Sequence, residues 1–228
     1  MNEDSKIQFP RLKFEVKTAI LIDGGFYRKR AYHYWGLKSA KERANELNEY
    51  CMRLLKDKSE RRQLYRIFYY DCPPINKKVF HPLLNKTIDL GKSDEYNWTT
   101  DFFNELRRKR KFAVRLGTLS ENTAQYTLRP EAVKKIMNRT ICVDDLQESD
   151  FQFRVEQKGV DMRIGVDIIS MALKKQVEQI ILVSGDSDFV PAAKQGRREG
   201  LDIILAPMGA TIKPDLHEHI DGLINIVK

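Results

Sequence analysis

An α/β fold built on a mostly parallel sheet is what this chain predicts, and three observations carry that reading. Short apolar runs rich in β-branched residues recur, each closing in a turn; Ala19-Ile20-Leu21-Ile22 and Ile180-Ile181-Leu182-Val183 are the clearest. Between residues 151 and 206 such runs alternate with helical patterns over short links, as right-handed crossovers between parallel strands require. The 228 residues are 42% apolar, which suffices for a full core, most simply as one domain with an insertion.

The elements follow in order. A strand over 17–23 delivers Asp23 to its end, where Gly24 and Gly25 permit a tight turn and close approach of a ligand to the backbone. A helix over about 26–57 and a strand over 64–71 come next. The stretch from Cys72 to Trp98 is loop-rich and long for an ordinary connection, so it reads as an insertion that shapes substrate access or meets a partner. Its Lys77, Lys78, His81 and Tyr96 are then candidates to reach a substrate. A helix over 99–110 ends in Arg107-Arg108-Lys109-Arg110-Lys111, and a strand over 111–119 follows. The region 133–150 shows no decisive period.

The last third alternates cleanly: strand 151–157, helix 161–175, strand 179–184, helix 188–199, strand 201–206 and a final element near 216–227. The helix over 161–175 opens on Asp161 and closes on Lys174-Lys175, as the helix dipole favours. Asp167 lies inside it among apolar residues and needs a partner, with Arg163 one turn earlier the nearest candidate. Pro191 falls in the first turn of the next helix, where its missing N–H costs little.

The chemistry concentrates in Ser184-Gly185-Asp186-Ser187-Asp188-Phe189, directly after an apolar strand. Asp186 and Asp188 thus fall at the carboxyl end of a parallel strand, where open α/β sheets build their sites. Two carboxylates this close repel unless they share a proton or a cation, and hard divalent ions prefer such an all-oxygen setting. Asp at a turn or an N-cap also has a purely local reason, since its side chain accepts backbone N–H bonds. The pair gains weight from Asp23, which occupies the same position at the end of the first strand.

These blocks resemble a known family. Ile20-Leu21-Ile22-Asp23-Gly24-Gly25, Lys158-Gly159-Val160-Asp161 with Asp167, and Ser184-Gly185-Asp186-Ser187-Asp188-Phe189 are similar to the three signature blocks of the NYN-domain family, within the PIN-like metal-dependent nucleases. Tyr69-Tyr70-Asp71 before Cys72-Pro73-Pro74 also resembles the second-strand block of bacterial members with an inserted basic segment. The resemblance covers most of residues 17–228, leaving 1–16 as an N-terminal extension and about 72–150 as the insertion. It implies a Rossmann-like, PIN-like three-layer sandwich with acids clustered at the carboxyl edge of the sheet. It further implies cleavage of RNA, or less often DNA, with Mg²⁺ or Mn²⁺, one ion or two. Carried over by residue, the catalytic and metal-site acids are Asp23, Asp161, Asp186 and Asp188, with Asp167 a further candidate ligand. Many members carry Asn shortly after the first Asp, whereas this chain has Phe26 and Tyr27 there.

Composition agrees with a nucleic-acid partner. The chain holds 40 Lys and Arg against 32 Asp and Glu, a formal charge of +8. Residues 1–150 carry 30 basic and 21 acidic residues, and residues 151–228 carry 10 and 11. A basic surface binds phosphates non-specifically and with steep salt dependence. The candidate phosphate contacts are Arg28, Lys29, Arg30, Lys77, Lys78, Arg107, Arg108 and Arg110. Aromatics near the first cluster (Phe26, Tyr27, Tyr32, Tyr34, Trp35) could stack unpaired bases or simply pack beneath a solvated helix face.

Three cysteines without paired spacing argue against a disulfide framework and structural zinc, and fit a reducing cytoplasm. No long apolar segment suggests a membrane span, and residues 1–16 are not signal-like. His217 and His219 lack further ligands at metal spacing and read as surface residues. A homo-oligomer is compatible with the chain. The expectation is therefore a metal-dependent endoribonuclease. A nucleic-acid-binding regulator with little or no turnover is the alternative, although concentrated acids beside phosphates would not help a mere binder. A phosphohydrolase with a nucleophilic Asp is more distant, because it needs a second acid two residues on and Asp23 is followed by Gly24 and Gly25.

Overall fold

The computed structural model describes residues 15–57 and 60–227. In chain order these form β1 (Glu15–Asp23), α1 (Gly24–Trp35), α2 (Ala40–Leu54), β2 (Arg61–Asp71), β3 (Lys78–His81), β4 (Lys86–Asp89), α3 (Asp94–Arg108), β5 (Phe112–Leu116) and β6 (Thr118–Leu128). There follow α4 (Pro130–Met137), β7 (Phe151–Lys158), α5 (Val160–Leu173), β8 (Gln179–Val183), α6 (Val190–Arg198), β9 (Asp202–Leu205), α7 (Pro214–Glu218) and β10 (Gly222–Leu223). All but the last two residues of the N-terminal extension lie outside the described residues, and those two, Glu15 and Val16, already belong to β1.

Six strands make the central sheet in the order β10-β9-β8-β1-β2-β5, and every pairing in it is parallel. Alternation along β1 sends Ala19 and Leu21 to one face and Ile20 and Ile22 to the other, all fully buried. The first face packs against Ile164, Ile168 and Met171 of α5 and Ala193 of α6. The second packs against Tyr27 and Ala31 of α1, Leu47 and Tyr50 of α2, and Phe102 and Leu106 of α3. The result is an α/β/α sandwich on a parallel sheet. Strand order reverses at the β1–β8 pair, so the crevice outside their carboxyl ends is the switch point where such sheets bind ligands.

Several predicted elements divide or move. The single helix over 26–57 is two helices, because Gly36 takes a positive φ of 68° and Ser39 starts α2 with a capping box to Glu42. The loop-rich 72–98 stretch contains the β3–β4 hairpin, and α3 begins at Asp94 on a Ser93 cap. Region 133–150 holds the end of α4 and two single 3-10 turns. The final element near 216–227 is the end of short α7 followed by β10.

The strand over 151–157 does not join the parallel sheet. As β7 it pairs antiparallel with β6 in a separate ribbon. Its residues are at most half-buried, whereas a strand inside a parallel sheet must be apolar on both faces. The predicted strand over 111–119 breaks at Gly117, where a Cβ would lie 2.6 Å from the Lys158 carbonyl. The chain therefore leaves the sheet there and enters the ribbon.

Candidate active site at the carboxyl edge of the sheet

Three loops carry acids to the switch point. Asp23 ends β1 and caps α1, accepting the Phe26 N–H at Oδ1 (3.1 Å). The turn after β8 begins at buried Ser184, whose hydroxyl points at Asp23 Oδ2 (3.5 Å) and accepts the Asp186 N–H (3.2 Å). Asp186 in turn accepts the Asp188 N–H (3.1 Å) and caps the turn that leads into α6. Asp161 lies in the first turn of α5, entered through Gly159 at a φ of 80°. Side-chain packing thus locks the Asp23 and Asp186 loops together, while Asp161, Asp186 and Asp188 stay exposed.

The charges feel one another. Burial drives the Asp23 carboxyl up to about 6; the Phe26 N–H opposes that rise, and Asp161, Asp71 and Asp186 add to it. Asp161 is also raised, by burial and then by Asp186 and Asp188. Such carboxylates lack sufficient positive charge nearby, the condition that a cation relieves. Their donors are all oxygen, which suits Mg²⁺ or Mn²⁺ in ligand chemistry. As the side chains stand, no three Asp, Glu, His or Cys residues among those described converge closely enough to hold an ion. Loading would require the exposed carboxylates of Asp161, Asp186 and Asp188 to turn toward Asp23.

A further acid, Asp71, ends β2 beside this group. It is almost fully buried and takes hydrogen bonds from the Tyr69 hydroxyl (3.1 Å) and the Cys72 N–H (2.8 Å), and an ion pair from Arg28 (3.2 Å). Burial raises its carboxyl despite these partners. Gly24 packs against it so closely that a Cβ would lie 2.6 Å from both Asp71 Oδ2 and the Tyr70 carbonyl. Sequence reasoning gave Asp71 no role in the site, although it repeats the apolar-strand-then-acid pattern of Asp23. Phe26, standing where many members carry Asn, covers Gly185: a Cβ there would lie 2.9 Å from its ring.

The remaining candidates scatter. Asp167 sits about 9 Å beyond Asp161 along α5. It accepts the Tyr70 hydroxyl (2.8 Å) and pairs with Arg115 (3.4 Å), in place of the expected Arg163. Arg30 clasps the Met208 carbonyl (2.8 Å) and the Tyr34 hydroxyl (2.8 Å), tying α1 to the loop after β9. Lys29 and Lys78 are exposed, and Lys77 donates to the Glu121 carbonyl (2.7 Å). His81 is buried against Tyr126 and Phe151, which removes it from substrate reach. Tyr27 is buried with its hydroxyl on Glu46 (3.2 Å), whereas Tyr32 is exposed. His219 faces Asp215 within the α7 turn (3.6 Å).

Arg107 and Arg108 end α3, and Arg110 follows it, at the opposite edge of the sheet. The neighbouring Lys111 carbonyl accepts the Ile67 N–H, four residues, or about 13 Å, before Asp71 on β2. Arg107 and Arg108 also engage Asn104 (3.1 Å) and Glu105 (2.7 Å) on their own helix. At the acidic edge itself, sequence reasoning missed Lys213, whose ammonium reaches the Ser187 hydroxyl (3.2 Å).

Comparison with known proteins gives one family. The NYN domain model matches residues 17–226. None of the curated proteins matches. A solved structure of a protein of unknown function from Vibrio parahaemolyticus is similar at 16% identity and a TM-score of 0.48, over 92% of this chain and 93% of that one. No helix among the described residues is long and apolar enough to cross a membrane. With the family model spanning nearly its whole length, the chain belongs to the NYN-domain family, whose members are generally nuclease-like.

Proposed function

We propose that the protein is a divalent-cation-dependent nuclease that hydrolyses phosphodiester bonds, with RNA preferred over DNA. The observation that carries this reading is that three loops at one sheet edge bring Asp23, Asp161, Asp186 and Asp188 near enough for their charges to add to the burial that raises Asp23, to about 6, and Asp161. These four would hold Mg²⁺ or Mn²⁺, and the bound cation would supply positive charge to acidify an attacking water and to steady the departing oxygen. The protein's own part is orientation. Ser184 braces the Asp23 and Asp186 loops against each other, and Phe26 roofs the Gly185 turn between them. Arg28, its guanidinium 3.2 Å from Asp71 and still partly exposed, would meet a substrate phosphate beside the acids. Free Cys51, Cys72 and Cys142 suit a reducing cytoplasm.

The alternative, a regulator that binds RNA without cutting it, draws support from the net charge of +8. It leaves unexplained why acids gather where phosphates would pass. Incubating labelled single-stranded RNA and DNA with the protein in Mn²⁺, in Mg²⁺ and in chelator tests the proposal. Cation-dependent cutting, faster on RNA, is expected. Salt-sensitive binding with no cutting in either metal would overturn it in favour of the regulator.

A further inference from the structure

Beside the acidic edge the inserted ribbon and the start of α3 enclose a cleft of about 630 Å³, within the range of small-ligand sites. Its walls come from the Cys72–Ile75 segment, the first turns of α3, and β6 and β7. Arg28 and Cys72 line it, and both adjoin the acidic edge: Arg28 pairs with Asp71, whose charge Asp23 feels, and the Asp161 charge acts on Cys72. The cleft therefore begins where the proposed reaction ends.

The lining is not that of a phosphate site. Glu156 of the ribbon and Glu95 of α3 outnumber Arg154, and the other cation, Arg28, pairs with Asp71 while keeping 28% of its side chain exposed. Tyr96 and Phe153 supply aromatic rings, Gln125 supplies an amide, and Glu95 and Glu156 are acceptors suited to exocyclic amines. We propose that this cleft receives one unpaired nucleobase of the substrate, stacked on Tyr96 or Phe153, while the adjoining phosphate lies between Arg28 and the four aspartates. This rests on the nuclease reading for the identity of the substrate, and it adds that the substrate must be unpaired at the cut. A base within a duplex is stacked and paired, so it enters only after extrusion from the helix, which costs binding affinity. The insertion thereby sets strand selectivity.

Binding measured in chelator keeps this separate from catalysis. The full-length protein is titrated with an RNA strand carrying 2-aminopurine at one position, with the same strand in a blunt duplex, and with a strand abasic at that position. The expected result is at least tenfold tighter binding of the intact single strand than of either control, with 2-aminopurine fluorescence quenched on binding. Tyr96→Ala should lose roughly tenfold for the intact strand and leave the abasic strand unchanged, since a stacked base contributes about 1–3 kcal/mol. Tyr96→Phe should retain the wild-type affinity, and both variants should melt with wild-type cooperativity. Equal binding of duplex and single strand, or the same loss on the intact and abasic strands, would overturn the cleft assignment. A protein that never cuts RNA but passes these tests would refute the nuclease reading and leave the base site standing.

Discussion

The guanidinium of Arg28 lies 3.2 Å from Asp71, and the two side chains differ sharply in exposure, 28% for Arg28 against 1% for Asp71. The pair thus joins a solvent-facing cation to a buried anion, which is how a rigid charge is presented at a cleft. Arg28→Met leaves the Asp71 carboxylate buried with only the Tyr69 hydroxyl and Cys72 N–H, and should cost about 2–3 kcal/mol in denaturant unfolding. Adding Asp71→Asn to Arg28→Met should recover a large part of that loss, because the uncompensated charge is gone. Strictly additive losses in the double variant would show that the pair is not coupled.

Asp23 gives the pH prediction. Its carboxyl sits near 6 in the folded protein against 3.8 as the ordinary value. Between those values the folded state binds more protons than the unfolded one, so this group lowers stability as pH rises from about 4 to 6. Above pH 7 the penalty reaches on the order of 3 kcal/mol. In chelator at pH 7.5, Asp23→Asn should therefore melt several degrees above wild type, since the amide oxygen still accepts the Phe26 N–H. Near pH 4 the advantage should vanish. A variant that melts lower at both pH values would show that the ionised carboxylate is stabilising.

Gly24 and Gly25 are adjacent but not equivalent. At Gly24 a Cβ would meet Asp71 Oδ2 and the Tyr70 carbonyl at 2.6 Å, while at Gly25 the nearest atom, Asp23 Oδ1, stands 3.5 Å away. Gly24→Ala should cost roughly 2–4 kcal/mol because backbone and a buried carboxylate must shift. Gly25→Ala should stay within about 1 kcal/mol of wild type. Equal effects in thermal denaturation would contradict the close packing of α1 on the end of β2.

The arginines at the end of α3 face away from the acids. Converting Arg107, Arg108 and Arg110 to Gln should leave the RNA cleavage rate within about twofold and the salt slope of RNA binding unchanged. A slope reduced by one or more would mean that the substrate wraps to the amino edge of the sheet.

Much of this arrangement is legible in the sequence because it depends on local patterns. The strand-then-acid runs at Asp23 and Asp186 mark the carboxyl edge whatever the sheet order, and Asp161 follows from its position at the start of α5. The break at Gly36 was also written there, in a glycine followed by the capping sequence Ser39-Ala40-Lys41-Glu42, but helical periodicity on both sides concealed it. Partner choice is different. Whether residues 151–158 pair with β6 or join the sheet depends on Gly117 letting the chain turn away, a contact between distant segments. Arg30, His81 and Asp167 likewise have unambiguous chemistry, yet only the fold assigns them to Met208, to an aromatic cluster and to Tyr70.

The central claim is that the four aspartates form one cation-dependent catalytic centre, and Asp188→Asn tests it most directly. Asp188 is exposed and its backbone N–H, not its carboxylate, makes the turn contact with Asp186, so the substitution should leave folding and RNA affinity in chelator intact. Cleavage of labelled single-stranded RNA in Mn²⁺ is measured for wild type and variant side by side. Metal-dependent cutting by wild type and a loss of at least a hundredfold in the variant are expected. Near-normal, metal-dependent cutting by Asp188→Asn would contradict it.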